Sequence, residues 1–271
     1  MPAADRLPDY APLLTDYHRA YVRELHAMLD SLPIGEGDHV LEVACGDGFY
    51  SRRLAERVGP TGVVVAADVL SAYLDEASEQ DERSSVAFVA AAVQGLPFAD
   101  GAFDLVFCAQ SLYSLPEPVD AVTRMARVVR PGGVVAVLEN DTMHHILLPW
   151  PVEVELAVRQ AELLGFIDES DRPRKFYVGR QLGPVFRQAG LENACKRTWA
   201  TNRHAPLEPE ERGFLGKYVA DLRDRALPRL EPAMRDCFDR LSDPASDAYI
   251  LDTPDLAVTC LDHLICGTRP V

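Results

Sequence analysis

The stretch VLEVACGDGFYSRRLAERV, residues 40–58, decides the fold. Its apolar first half predicts a short buried strand, its CGDG segment predicts a tight turn, and its second half has the apolar spacing of a helix. Glycines at 46 and 48 permit positive φ and let a ligand approach the backbone closely. A helix that begins beside such a turn points its free N–H groups at the ligand. The stretch therefore predicts a site for a dinucleotide or another nucleotide-like ligand.

Asp68 is the second indication of such a site. It stands 20 residues after Gly48 and directly follows the apolar run GVVVAA of a second strand. A carboxylate there can accept hydrogen bonds from both hydroxyls of a ribose, which fits NAD and other adenosine ligands. The dinucleotide-binding fingerprint has a third glycine or other small residue at the position of Ser51. The serine makes NAD a weaker candidate without excluding it. Asp68 could instead cap a helix predicted at 71–80.

Strands and helices alternate through the first half of the chain. Short, fully apolar strands separated by helices indicate a parallel sheet that is covered on both faces and has right-handed crossovers. We therefore expect a doubly wound α/β domain that binds its ligand at the carboxyl edge of the strands. The predicted strands are 39–44, 62–67, 85–90, 103–109 and 134–139, and the predicted helices between them are 47–58, 71–80 and 116–129.

The pattern outside this alternation is looser. An amphipathic helix is predicted at 16–31 and ends at Pro33 and Gly35. The acidic, helical stretch 208–241 resembles an insertion between the last two strands. The later predicted elements are helices at 152–165, 179–189 and 208–241, the last with breaks at Pro228 and Pro232, and strands at 191–201 and 256–266.

The composition narrows the classes of partner. The 271 residues contain 27 Lys and Arg against 42 Asp and Glu, a net charge of −15. Nucleic acids and acidic membranes need a cationic surface, so we expect a small-molecule substrate and neither of those partners. The six cysteines form no CxxC pair and indicate reduced thiols in a cytoplasmic protein. The N-terminus does not read as a signal peptide, and no apolar run reaches the length of a membrane span.

Four motifs in order carry a resemblance to a known family. They are VLEVACGDG, Asp68, VQGLPFADGAFDLVFCAQSL and RVVRPGGVVAVLE. This arrangement resembles the class I methyltransferases that depend on S-adenosylmethionine (SAM), in the small-molecule branch that includes the ubiquinone and menaquinone enzymes. The resemblance covers residues 38–140 well and the remainder weakly. It implies a seven-stranded Rossmann-like sheet whose last strand is antiparallel, with N-terminal helices and helical lid insertions.

The resemblance also implies a division of the chain and a set of cofactor contacts. The division is an N-terminal helical lid at 1–35, a SAM-binding core at 36–140, a substrate-side helical segment at 141–190, and the last strands at 191–271. Each cofactor contact is carried over by position in the motifs. For the methionine end of SAM, Glu42 would lie beneath the methionine part and Gln110 would lie under the sulfonium. The turn beside methionine and ribose would consist of Ala44, Gly46 and Gly48, and Asp68 would bind the ribose hydroxyls. At the adenine, Val69 would pack on the ring, and Val93 and Gln94 would flank its edge.

Two positions depart from the family pattern. Ala92 stands where an Asp often bonds the adenine amino group, so adenine would be held by backbone, by Gln94, or less tightly. Ala44 replaces the first glycine of the turn, which is a mild change because Ala is still small. Neither departure removes the predicted ribose contact at Asp68.

Catalytic residues are expected just past the strand edges. The segment ENDTMHHILLPWP, residues 139–151, follows the fifth strand and carries Asp141, His144 and His145. A histidine can act as a general base near neutral pH, although one of the two could simply pack and the other be solvated. We predict no metal site, because adjacent histidines point different ways and no distant set of ligands is evident.

Aromatic residues are the candidates for the substrate side. Tyr113 follows the fourth strand, Tyr17 and Tyr21 lie on the N-terminal segment with Tyr10 and His18, and Trp150 lies in the substrate-side segment. Each of them could equally be core. A basic cluster could hold an acidic substrate or be a solvated face. Its members are Arg172, Arg174, Lys175 and Arg180.

The favoured function is methyl transfer from SAM to a small metabolite at oxygen, carbon or nitrogen, with secondary metabolism as the expected context and a homodimer as a possible state. Three alternatives stay open. The protein could bind SAM without transferring methyl, as a cyclase or for a structural purpose. It could be an NAD-dependent oxidoreductase, or an interaction protein without catalysis.

Overall fold

A computed structural model describes residues 7–8, 10–83, 85–115, 117–169 and 177–271. Five parallel strands form the centre of its sheet: β1 His39–Val43, β2 Val63–Asp68, β3 Val86–Ala90, β4 Phe103–Ala109 and β5 Val129–Glu139. They lie in the order β3-β2-β1-β4-β5. The order reverses direction between β1 and β4, so the carboxyl ends of β1, β2 and β4 border the crevice where ligands of such sheets bind.

Three helices cross between these strands: α3 Phe49–Val58, α4 Ser71–Gln80 and α5 Pro118–Val128. The predicted start of α3 at Asp47 is wrong by two residues. Gly48 precedes the helix with φ of +72°, a left-handed conformation that ends the turn and that an L-residue adopts only at a cost. The predicted bounds of α4 and β4 are confirmed.

The N-terminal segment forms two helices where the sequence predicts one. They are α1 Ala11–Ala20 and α2 Val22–Asp30, and Tyr21 separates them with φ of −121° and ψ of 19°. The side chain of Tyr21 is only 1% exposed, so tertiary packing holds the bend in place.

The second half of the chain completes the sheet and adds helices to both of its faces. Its elements are β6 Ile146–Leu147, α6 Val152–Glu169, α7 Val178–Gln188, β7 Glu192–His204, α8 Pro209–Ala226, α9 Pro232–Ser242 and β8 Ala257–Thr268. The last strand, β8, runs antiparallel to β5, as expected. The described sheet has eight strands instead of seven, because the two-residue β6 also pairs with β8. The helices α8 and α9 form the predicted insertion between β7 and β8.

The core has two large apolar clusters on opposite faces of the sheet. One packs α1, α2, α3, α6, α8 and α9 against the sheet, and the other packs α5 and α7. No helix in the described ranges is both long and apolar enough to cross a membrane. The division into four segments stays a prediction.

Candidate cofactor and active site

A cavity of about 160 Å³ lies at the carboxyl edge of β1, β2 and β4. Its floor comes from the glycine turn and from the ends of β2 and β4, and its roof comes from α1. Seven of the nine predicted cofactor residues line it. They are Ala44, Gly46, Asp68, Val69, Val93, Gln94 and Gln110.

The backbone of the turn is held open toward this cavity. Ala44, Gly46 and Gly48 all have positive φ, at +58°, +53° and +72°. An added Cβ at Gly46 would meet no protein atom within 4 Å, whereas one at Gly48 would lie 3.0 Å from the Cβ of Ala77. Gly46 therefore leaves room for a ligand, while Gly48 serves the packing of α3 against α4.

Asp68 is fixed by two backbone donors. The N–H of Gly46 donates to Oδ2 at 3.0 Å, and the N–H of Leu70 donates to Oδ1 at 3.0 Å. The second bond reaches the residue just before α4, so the alternative role at the start of that helix is partly realised. Because a carboxylate has about four acceptor sites, the two bonds leave capacity for the hydroxyls of a ribose.

An apolar surface adjoins this carboxylate. Val69 is 58% exposed although it is apolar and directly follows Asp68. Val93 and Gln94 line the same part of the cavity together with Ala91. A flat aromatic base placed here would cover Val69 and remove apolar area from water. Position 92 offers no carboxylate, as noted from the sequence.

Gln110 occupies the end of β4 in a strained conformation. Its φ is +48°, which is uncommon for a residue with a side chain. Its N–H donates to the carbonyl of Leu138 at 2.7 Å, and its Oε1 accepts from the Tyr50 hydroxyl at 3.2 Å. The second bond fixes the side-chain amide at the cavity wall, and its predicted position under the sulfonium stays a prediction.

Glu42 lies behind the cavity and does not reach its surface. The side chain is fully buried and accepts a short hydrogen bond from the Ser51 hydroxyl, while Oε1 has no partner. Burial raises the pKa of this carboxyl to about 8. Neither Glu42 nor Gly48 is among the described residues that line the cavity, so their cofactor contacts stay predictions.

The roof of the cavity corrects the choice of N-terminal residues. Tyr10, Leu14 and His18, spaced four apart on one face of α1, line it. Tyr17 instead faces β8, where its hydroxyl donates to Asp262 Oδ1 at 2.9 Å. Tyr21 packs in the core beneath Arg203. The helical period is the signal that could have found the Tyr10 face.

His18 is built into the roof by its neighbours. Its ring stacks on Phe49 with centroids 4.1 Å apart, and its Nδ1 lies 3.8 Å from Asp47 Oδ2. Both ring nitrogens are buried without a hydrogen-bond partner. Burial alone would raise the pKa of Asp47, but His18 and the Phe49 N–H outweigh it and the pKa is lowered. The cavity thus has an acidic group and an imidazole at one end.

Asp141 and His144 lie together on the side of the sheet that α7 covers. Asp141 accepts from the backbone N–H of Arg180 at 3.1 Å and from its Nε at 2.6 Å. The Nη2 of Arg180 also lies 3.3 Å from His144 Nδ1. Arg180 is the third residue of α7, so Asp141 satisfies a free donor of its first turn. This arrangement supports a structural function for the pair, and their catalytic assignment stays a prediction.

His145 points the other way, into a polar cluster that the sequence did not reveal. Its Nε2 lies 2.9 Å from Cys260 Sγ and 3.5 Å from Asp262 Oδ1. Cys260 and Asp262 are both buried on one face of β8, and Tyr17 adds its hydroxyl. The alternation of β8 places residues 260 and 262 side by side, but only the fold brings His145 to them.

The remaining aromatic candidates have structural partners. The backbone N–H of Tyr113 donates to Glu139 Oε1 at 3.2 Å, and burial raises the pKa of Glu139 to about 8. Trp150 is 7% exposed and packs edge-on against Phe238 at 5.4 Å. Their substrate contacts stay predictions. The rest of the predicted basic cluster, Arg172, Arg174 and Lys175, lies outside the described residues.

Comparison with known proteins agrees with this geometry. Residues 41–137 match the family model described as a methyltransferase domain. Over 107 residues the chain is 38% identical to the ubiquinone/menaquinone biosynthesis C-methyltransferase UbiE of Stutzerimonas stutzeri. The aligned region covers 38% of this chain and 42% of that protein. Over 153 residues it is 36% identical to UbiE of Pseudomonas paraeruginosa, and this alignment covers 51% of the chain and 60% of the relative. The matched part of the chain thus spans 42% and 60% of the length of these two relatives, which is less than two thirds.

Solved structures agree in fold over more of the chain. A putative methyltransferase from Bacillus halodurans superposes with a TM-score of 0.58 at 17% identity, over 92% of this chain and 99% of that one. A SAM-dependent methyltransferase from Aquifex aeolicus gives 0.52 at 22% identity, over 74% and 94%. The matched segment contains the glycine turn, Asp68 and the end of β4. Residues 41–137 of this chain are therefore similar to a methyltransferase domain in sequence, and the chain shares its fold with solved methyltransferases.

Proposed function

We propose that the protein transfers a methyl group from SAM to a small-molecule acceptor. The observation that carries this proposal is the meeting of Asp68, Val69 and the open glycine turn on one cavity within the methyltransferase domain. Asp68 would hold the ribose, Val69 and Val93 would cover the adenine, and Gly46 would pass beside the methionine chain. A cationic sulfonium would then lie near the Gln110 amide oxygen.

The residues of this chain would act mainly by positioning. SAM supplies the reactive methyl group, and the transfer is a displacement at carbon that needs the acceptor in line. The fixed amide of Gln110 and the Tyr50 hydroxyl that holds it would orient the sulfonium end. The α1 roof, with Leu14 and His18, would exclude water. Because about 160 Å³ is below the roughly 300–1,000 Å³ of most small-molecule sites, we expect the roof to shift when the cofactor enters.

The finer aspects of the function belong to the same proposal. The six cysteines are unpaired, which supports a reducing compartment such as the cytoplasm. The acceptor would be an apolar or aromatic metabolite, which the aromatic side chains around the N-terminal helices support. A secondary-metabolite acceptor and a homodimer stay predictions, and the named relatives act in quinone biosynthesis.

Calorimetric titration with SAM tests the proposal, with NAD as the parallel ligand. We expect SAM to bind and NAD not to bind. Asp68→Ala should weaken SAM binding by about 1–3 kcal/mol, because the ribose hydroxyls lose their acceptor. Release of S-adenosylhomocysteine from a panel of acceptors then separates transfer from mere binding. NAD binding with no SAM binding would overturn the proposal.

A further inference from the structure

We propose that His145, Cys260 and Asp262 form a binding site for a zinc ion, which ties the segment after β5 to β8. The donor atoms are an imidazole nitrogen, a sulfur and a carboxylate oxygen, and all lie within 4.8 Å of one another. Zinc takes this mixture of ligands in proteins. The site is separate from the cofactor cavity and does not depend on the proposed methyl transfer.

The donors converge on one point instead of forming a proton relay. A relay would place the thiol at one ring nitrogen of the histidine and the carboxylate at the other. Here Cys260 Sγ and Asp262 Oδ1 both approach the same nitrogen, Nε2 of His145, at 2.9 and 3.5 Å. Cys260 is also 0% exposed, so its thiol is closed to a substrate. Convergence of this kind suits a shared cation.

The distances fit tetrahedral zinc with one adjustment. Ligands bound at about 2.0–2.3 Å lie about 3.3–3.6 Å apart across a tetrahedral angle. Asp262 Oδ1 lies 3.5 Å from His145 Nε2, which already agrees, and the other carboxylate oxygen, Oδ2, lies 3.7 Å from Cys260 Sγ. The separation of 2.9 Å between Nε2 and Sγ must open by about 0.6 Å, which a rotation of the His145 side chain can supply. A water would take the fourth position.

Charge supplies an independent argument. Asp262 is 2% exposed, and among the residues that the structure describes no lysine or arginine pairs with it. His145 can supply a counter-charge only when its imidazole is protonated, and beside a neutral histidine the buried carboxylate is costly. Tyr17 donates to Oδ1 at 2.9 Å and so positions the carboxylate, as outer partners of metal ligands do. Zinc would neutralise Asp262 and the Cys260 thiolate together, with the thiol proton released to solvent.

Metal analysis of the full chain tests the site directly. The protein is purified without a histidine tag and without chelator, and its zinc content is measured. We expect about one zinc per chain. After chelation, titration with Co²⁺ should give a sulfur-to-cobalt charge-transfer band in the near ultraviolet, since cobalt takes the same thiolate ligand. Wild-type protein with neither zinc nor this band would overturn the proposal and leave a hydrogen-bonded cluster.

Two matched variants locate the band. Cys260→Ser should abolish it and weaken zinc binding about 100-fold or more. Cys237→Ser, at a half-buried cysteine of α9, should change neither. Equal loss in both variants would show that the band comes from elsewhere and would refute the site. His145→Gln tests the nitrogen ligand if Cys260→Ser does not fold. None of these measurements requires SAM or an acceptor, so failure here leaves the methyltransferase proposal untouched.

Discussion

The substitution Gly46→Ala isolates the contribution of the glycine turn to cofactor binding. Gly46 has φ of +53°, and an added Cβ would meet no protein atom within 4 Å. The cost to the fold is therefore only that of a left-handed L-residue, about 1–2 kcal/mol. In the bound state the new methyl would occupy space beside the cofactor. Overpacking of that size costs about 1–3 kcal/mol, which weakens SAM binding roughly 5- to 150-fold.

A matched control separates strain from binding. Gly190 lies in the turn between α7 and β7, has φ of +79°, and also leaves open space for a Cβ. Gly190→Ala should lower the free energy of unfolding by a similar amount without changing the dissociation constant for SAM. Urea unfolding and calorimetry measure the two quantities. If Gly46→Ala binds SAM as tightly as the wild type, the turn does not approach the cofactor and our placement is wrong.

Three further predictions concern buried charge. Burial raises the pKa of Glu42 to about 8, above its usual value in the unfolded chain. Because the folded state then binds more protons, the free energy of unfolding should fall as pH rises from about 4.5 to 8. Urea unfolding of Glu42→Gln should show a flatter dependence of this free energy on pH. Arg203 pairs with Glu24 at 3.0 Å and is largely buried, so Arg203→Ala should cost about 2–3 kcal/mol, and less in a Glu24→Gln background. Asp141→Ala should lower the free energy of unfolding by about 1 kcal/mol, because the first turn of α7 loses a hydrogen-bond acceptor. Methyl-transfer turnover should stay nearly unchanged. Loss of turnover without loss of stability would instead support a catalytic function for Asp141.

The order of elements could be predicted because hydrophobic periodicity is local. The five predicted strands of the first half all form, and β4 and α4 have the predicted bounds, but β5 begins five residues earlier than predicted, at Val129. The errors lie where tertiary contacts decide. The break at Tyr21 depends on burial of its ring, and the pairing of β6 with β8 joins two residues to a partner more than a hundred positions away. Neither feature leaves a periodic signal.

The candidate site divides in the same way. The predicted cofactor residues follow strand ends at spacings that the parallel fold fixes, so the sequence could predict that Gly46, Asp68 and Gln110 meet at one cavity. The substrate-side residues lie on helices and loops whose faces are set by packing. Tyr17 turned toward β8 for that reason. The Cys260–Asp262 pair had no visible partner until the fold brought His145 beside it.

The roof of the cavity connects the two candidate sites. Helix α1 presents Leu14 and His18 to the cofactor cavity and Tyr17 to the β8 cluster, so the two surfaces belong to one rigid element. A rotation of α1 that widens the cavity must also displace the Tyr17 hydroxyl from Asp262, at 2.9 Å. That bond is buried, so breaking it costs more than an exposed one would. A shift of α1 of the kind proposed for cofactor entry would therefore have to break a buried bond to β8, a strand that contributes no residue to the cavity lining.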